Sequence, residues 1–445
     1  MSENDKKDFE FIKEQVIEKK RKKIKKRLMP FVMTVCLAIL FGLVAAVTFV
    51  LAAPRLDEFL HKDEETKTPA EFPTVYPEDQ TPVTTVTPVP KDNTEKDIEV
   101  NGDNISKIPD TVVVDQRIDA SLDDFVNMYG ELRKVAYDVN KSLIKVIGIT
   151  ETEDVWFGTH VELTEETTGL LIHNDNVNLL ALVSLDRIRK ADRIRVEFSK
   201  SFSVDATIQD YETELNLAVI SIPIKEIPAG YLDNTEIAKL GESFTLVAGS
   251  PILALGSPNG HVGSMEFGII SSGNTVAYIT DNQLDLFNTD IDVNEKGDGI
   301  IVNTKGEVIG LITRTLKDGV SDSLNVCIGI SRIKPLLTDL VNNNPRIYFG
   351  VKTENMTDTT RAEHEIANGI FVDETIEDSP AFEAGIQAGD IILYVEDEMI
   401  IDTSDFYSTL AYRKAGDKIS VRLKRTAGST EKELTVTVTL AEKKK

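Results

Sequence analysis

The sequence predicts a mainly β protein with an N-terminal transmembrane helix, two antiparallel β-barrels and a smaller C-terminal β domain. Three observations predict it. The chain carries no charged residue between Leu28 and Pro54. Two sets of about six short strand-like runs follow one another between 142 and 330 with no helical pattern between them, which favours barrels over a βαβ sheet. The last hundred residues alternate strands with two short helical segments. A length of 445 residues suits two or three domains with real cores.

Residues 1–28 hold 11 Lys/Arg against 6 Asp/Glu, a charge of +5; with −25 for the whole chain, the remainder carries −30. So acidic a body excludes nucleic-acid binding by phosphate neutralisation. The basic residues culminate in KKRKKIKKR (19–27), directly before the apolar run LMPFVMTVCLAILFGLVAAVTFVLAAP. About 20 apolar residues span a bilayer. The segment 29–53 therefore reads as a transmembrane helix, with the basic block (1–28) cytoplasmic and everything beyond Pro54 outside. A cleaved signal peptide is the competing reading, with Leu51-Ala52-Ala53 as its site, but the basic region and the apolar run are both long for one.

Residues 54–90 contain seven of the sixteen prolines among Thr, Val and acidic residues, so 54–120 reads as an extended stalk. The body is expected from 121 to 344. It opens on a helix, SLDDFVNMYGELRKVAYDVNKS, with Ser121 as N-cap. Strands are expected at SLIKVIGI, TGLLIHN, VNLLALV, RIRVEFS, FSVDATIQ and LNLAVISI, and an irregular stretch at 223–242. SFTLVAG, PILALGS, EFGIISSG, LDLFNTD, GIIVN, EVIGLIT and LNVCIGI then supply a second set, closed by the helix SRIKPLLTDLVNN. Cys36 and Cys327, the two cysteines, read as buried small hydrophobes and not as a disulfide. From 345 to 445 five strands and two helices predict a small, partly open sandwich, the second helix capped by Ser404 or Thr403.

LALGSPNGHVGSMEFGIIS (253–271), NTKGEVIGLIT (303–313) and SPAFEAGIQAGDIILYVED (379–397) occur in an order that resembles the HtrA group of trypsin-like serine proteases followed by one PDZ domain. The resemblance covers 133–440, about 70% of the chain. It implies a trypsin-like double β-barrel, a PDZ domain that binds peptide or protein C-termini, and a homo-oligomer, although no segment reads as a trimer signature.

Such a protease needs His, Asp and Ser from three separate loops. The pattern ending in Thr-Asn-x-His here reads GLLIHNDNVNLLALVSLD, which puts Val183, or Ser184 with one slip, at the base. Thr-Asp-Leu-Ala-Val becomes ELNLAVISI, with Asn216 at the aspartate. Gly-Asn-Ser-Gly-Gly becomes KGDGII, with Gly297 or Asp298 at the nucleophile. Valine has no basic nitrogen, asparagine is neutral, and a carboxylate at 298 opposes a developing oxyanion. Three losses in three places predict a pseudoprotease, a binding, sensing or scaffolding module. The alternative is an active endopeptidase with a rearranged triad, for which His261 with Ser264 or Ser271 is the candidate dyad. His173 lies at a hairpin turn, about 20 Å from the expected base position; His61, His160 and His364 sit in the stalk, a variable loop and the C-terminal domain. No two histidines or cysteines stand at metal-ligand spacing, and nothing implies a cofactor.

In the C-terminal domain, Tyr348-Phe349-Gly350-Val351 resembles the PDZ loop whose backbone N–H groups hold a terminal carboxylate. Phe349, Val351, Phe406 and Leu410 are expected to line the side-chain pocket, and Asp390 to order a turn.

Overall fold

The computed structural model describes residues 67–74, 121–153, 160–292, 294–316, 325–427 and 430–444. The expected membrane helix (29–53), the basic segment, most of the stalk, Cys36 and His61 lie outside them. Among the described residues no helix is long and apolar enough to cross a membrane.

Twelve strands form two closed barrels. The first contains β1 (Leu143–Glu153), β2 (His160–Asn174), β3 (Asn178–Ser184), β4 (Arg193–Ser199), β5 (Phe202–Glu212) and β6 (Leu217–Pro223), in the order β1-β2-β3-β6-β5-β4. The second contains β7 (Pro251–Ser257), β8 (Ser264–Ile279), β9 (Asn282–Thr289), β10 (Asp298–Val302), β11 (Val308–Ile312) and β12 (Asn325–Gly329), in the order β10-β11-β12-β9-β8-β7. All neighbouring pairs that carry these barrels are antiparallel. Helix α1 (Leu122–Val139) precedes them; Ser121 caps it as expected, in a reciprocal box with Asp124. Helix α2 (Ile330–Asn342) closes them.

The run NLLALVS of β3 shows how one strand serves two cores. Successive side chains point to opposite faces. Leu179, Ala181 and Val183 fill the first barrel, while Leu180 and Leu182 pack in a second core shared with Leu253 and Leu255 of the other barrel and with Ile333, Leu337 and Leu340 of α2. Both faces are buried, so the strand reads as a continuous apolar run. Cys327 sits inside the second barrel, free and fully buried, and burial pushes its thiol pKa far up: an inert hydrophobe, as expected.

The expected strand at SFTLVAG is absent: 243–249 forms turns. Its polar start competes with sheet pairing, since Ser243 N–H donates to Ser331 Oγ and Ser331 N–H donates to Ser243 Oγ. Gly249 at φ +86° ends the segment in a conformation foreign to a strand.

Part of the stalk is also not a stalk. Residues 67–74 lie against the barrels and α2: Ala70 is buried, Asn342 Oδ1 accepts from Ala70 N–H and Asn342 Nδ2 donates to Ala70 O, both at 2.9 Å. Phe72 N–H donates to Thr338 Oγ1, and Lys334 Nζ donates to Pro73 O. Sequence composition favoured a free stalk, but here the backbone polar groups find partners on α2. Asn342→Ala is expected to release this strap at a cost of about 2 kcal/mol, seen as faster tryptic cleavage after Lys67 with unchanged cleavage elsewhere; equal rates would refute the contact's importance.

The C-terminal domain has β13 (Ile347–Tyr348) paired with β20 (Ala441–Glu442). Its main sheet is β14 (Val351–Asn355), β15 (Ile370–Thr375), β16 (Ile391–Val395), β18 (Lys418–Ala427) and β19 (Thr430–Thr439), with β17 (Glu398–Met399) beside β16. Helix α3 (Thr403–Ala411) packs over it. Its cap is Asp402, whose side chain accepts from Asp405 N–H, and neither Ser404 nor Thr403. Thr403 Oγ1 instead donates to Gln283 Oε1 on β9.

Candidate functional site

The cleft between the barrels is where a trypsin-like fold assembles its chemistry. Because Val183 faces inward, the next residue, Ser184, faces outward; its Oγ donates to Asp298 Oδ2 across the cleft at 3.2 Å. Of the two residues, Ser184 and not Val183 thus reaches the cleft. Of Gly297 and Asp298, only the second has room for a side chain: a Cβ on Gly297 would stand 2.4 Å from Pro258 O. Asp298 opens β10 opposite Ser257 and is 3% exposed. Thr167 Oγ1 donates to its Oδ2 at 2.5 Å and Ser257 Oγ to its Oδ1. Three hydroxyls, and no cation among the described contacts, surround a buried carboxylate.

Asn216 occupies the turn into β6 in the left-handed region (φ +56°), which asparagine tolerates well. Its Oδ1 accepts from Asp186 N–H and its Nδ2 donates to Asp186 Oδ1. Arg314 of the second barrel donates through Nη2 to both oxygens of Asp186. Asn216 therefore holds a loop and, through Asp186, supports an interbarrel ion pair.

The loop before β10 is turned in on itself: Asn294 accepts from Lys296 N–H at Oδ1 and from Gly297 N–H at its carbonyl oxygen. Those donors are taken. Nor does a histidine replace the base. His173 Nε2 bonds Thr68 O, and His364 Nδ1 bonds Glu431. His261 is exposed, and its backbone N–H donates to Asn259 Oδ1. Ser264 Oγ is buried without a hydrogen-bond partner, whereas Ser271 is exposed. Among the described residues no hydrogen bond joins an imidazole to a serine hydroxyl. The side chain of His160 is not described. No group of His, Cys, Asp or Glu among the described residues gathers at metal-ligand distances.

In the C-terminal domain the loop Tyr348–Val351 turns at Gly350. Gly350 stands at φ +93°, and a Cβ there would meet Ser379 Cβ at 2.1 Å, so glycine is required. Phe349, Val351 and Phe406 are fully buried and Leu410 nearly so; Phe349 meets Phe406 edge to face at 5.3 Å. These four fill the domain core where an open pocket was expected.

The loop's N–H groups are occupied. Asp281, second residue of the two-residue turn between β8 and β9, sits at φ +57°. Its carboxylate accepts from Phe349, Gly350 and Val351 N–H at 2.8–3.0 Å, and its own N–H donates to Val351 O at 2.9 Å. Tyr278 OH, from the same hairpin, accepts from Asn355 N–H at the far end of β14. Burial raises the Asp281 pKa to about 6 against the opposing pull of the three N–H donors and Lys443. Sequence reading missed Asp281, because a polar turn residue carries no mark of a partner 68–70 positions away.

A PDZ domain family model matches residues 347–440. The chain is 26% identical over 282 residues to the serine protease Do-like HtrA of Lactobacillus helveticus, covering 60% of this chain and 67% of that protein. It is 28% identical over 272 residues to human serine protease HTRA3, covering 56% of each. The chain thus spans between about half and two thirds of the length of these curated relatives. The solved structure of the HtrA-type protease AlgW with decapeptide superposes with a TM-score of 0.52 at 19% identity, covering 71% of this chain and 99% of that one. Two antiparallel six-stranded barrels, the closing helix and a PDZ domain follow one another in this order, and in this the chain is similar to HtrA-type proteases.

Proposed function

We propose that this protein is a membrane-anchored, extracytoplasmic pseudoprotease that captures peptide or protein C-termini through its PDZ domain in a sensing or scaffolding role. One observation carries the loss of catalysis: Asp298, at the nucleophile position, is held by the hydroxyls of Thr167, Ser184 and Ser257. Ser184 stands where the base is needed, and a hydroxyl near neutrality neither accepts the nucleophile's proton nor forms a stabilised cation. Asp298 places negative charge where an oxyanion would form, the reverse of what acyl transfer requires. The polar contacts that a protease cleft leaves open for substrate here join one barrel to the other, through Ser184–Asp298 and Asp186–Arg314.

Peptide capture is supported by the convergent N–H groups of 349–351 and by the place of β14 at one edge of its sheet, the edge to which a peptide strand adds. The superposed AlgW structure holds a decapeptide, which is consistent with it. Anchoring is supported by the uncharged stretch after Leu28 and the basic block before it.

The test is active-site labelling of the purified full chain with a fluorophosphonate. No serine is expected to be labelled and casein to remain uncut. Stoichiometric labelling, or cleavage abolished by changing Ser264, Ser271 or His261, would replace this reading with that of a peptidase of rearranged triad.

A further inference from the structure

The hydrogen bonds around Asp281 are those a chain terminus would make. A terminal residue offers a PDZ loop a carboxylate for its N–H groups and returns its own amide N–H to the sheet edge. Asp281 does both, with its side chain in place of the terminus: three N–H groups converge on its oxygens, and its N–H reaches Val351 O. The rest of the hairpin lies along the groove bordered by β14 and α3. Tyr278 OH reaches Asn355 N–H, and Gln283 accepts from Thr403 Oγ1 at the start of α3. Nothing in barrel stability requires a carboxylate at this turn; glycine or asparagine satisfies a left-handed φ equally well.

We infer that Asp281 is an internal ligand of the PDZ loop, so that a partner's C-terminal carboxylate binds only by displacing it and thereby parts the PDZ domain from the β8–β9 hairpin. The inference rests on the peptide-binding reading above and adds a competitor to it. A tethered carboxylate competes at a high effective concentration, and the apparent affinity of any free terminus falls by the fraction of molecules in which the loop is vacant. Around the joint, Lys443 pairs with Glu212 and Glu214, and Arg346 with Asp210. These contacts join the domain to the first barrel without touching the loop, so displacing Asp281 need not detach the domain entirely.

The experiment compares the full chain in detergent micelles with Asp281→Gly and Asp281→Asn. Both residues tolerate the left-handed backbone and so keep the turn. The probe is a pool of fluorescein-labelled decapeptides, randomised at the last four positions, with free or amidated C-termini. Amide exchange at Phe349, Gly350 and Val351 is read in parallel. Exchange is expected to accelerate in both variants. Free-carboxylate peptides should be retained at least about tenfold better than by the parent chain, and amidated ones no better. Unchanged exchange, or accelerated exchange with equal retention, would overturn the inference and leave the peptide-binding reading standing. Accelerated exchange with no peptide retained by any chain would overturn that reading, and the inference with it.

Discussion

Replacing Arg425 with alanine is expected to destabilise the PDZ domain by about 3–5 kcal/mol. Asp390 is 1% exposed, and Arg425 grips it with two hydrogen bonds, Nε to Oδ1 at 2.6 Å and Nη2 to Oδ2 at 2.7 Å. Arg425 Nη2 also donates to Gly385 O at 2.7 Å. Asp390 in turn accepts from Gln387 N–H, closing the turn before β16. Removing the guanidinium leaves a charge in the interior with one amide donor, which costs more than the ion pair itself contributes. For a domain of this size each kcal/mol lowers the melting temperature by roughly 4–8 °C, so calorimetry of the full chain should show the PDZ transition falling by more than about 10 °C. Arg425→Lys keeps a charge but loses the two-pronged geometry, and should fall between. Restoration by Asp390→Asn in the Arg425→Ala background would tie the loss to the stranded carboxylate. A shift below about 1 kcal/mol for Arg425→Ala would show that water compensates Asp390.

This pair marks the limit of what the sequence discloses. Asp390 beside Gly389 is readable as a turn-ordering residue, and it does order the turn; its cation, 35 positions on, is not readable, because nothing local selects Arg425 from the other basic residues of β18. The barrels are readable for the opposite reason. Runs such as NLLALVS and PILALGS are buried on both faces, so their composition alone excludes a surface helix. Their alternation also puts Val183 inside and Ser184 outside, once the inward face is known. Where the reading failed, a polar group had an unforeseen distant partner: Ser243 turns to Ser331, Thr403 to Gln283, and Asn342 pins Ala70. The sequence pointed to three substituted motif positions, and two of the residues it offered, Ser184 and Asp298, meet across the cleft. That Thr167 and Ser257 join Ser184 around Asp298 was not legible, since these residues come from separate strands and barrels.

The same separation hides the joint's response to pH. Burial of the Asp281 carboxylate against the loop raises its pKa from the ordinary 3.8 to about 6. The groups that act on it or feel its charge are Lys443 near the C-terminus and Tyr348 and Tyr407 from the PDZ domain; next to these, Glu214 of the first barrel acts on Tyr348 and Tyr278 of its own hairpin on Tyr407. Only Lys443 opposes the rise by charge, and it is itself drawn to Glu212 and Glu214. With the folded value above the unfolded one, the closed joint takes up a proton on forming. The stabilisation from that proton is full below about pH 3.8, declines as pH rises, and is gone above about pH 6. About two units correspond to up to roughly 3 kcal/mol, or a hundredfold in the opening equilibrium. Elsewhere, carboxylates such as Asp124 and Glu431 are shifted down and contribute in the opposite sense, so total stability is a poor readout. The difference between the parent chain and Asp281→Gly removes them. That difference, read from the PDZ melting transition at pH 4, 5, 6 and 7, should favour the parent most at pH 4 and shrink steadily to pH 7. Capture of free-carboxylate peptides by the parent chain should tighten about tenfold from pH 5 to pH 7, where a peptide's own terminus stays ionised, and remain flat in Asp281→Gly. A parent-minus-variant difference that is constant across the series would mean that Asp281 binds its loop as an ordinary ionised carboxylate throughout.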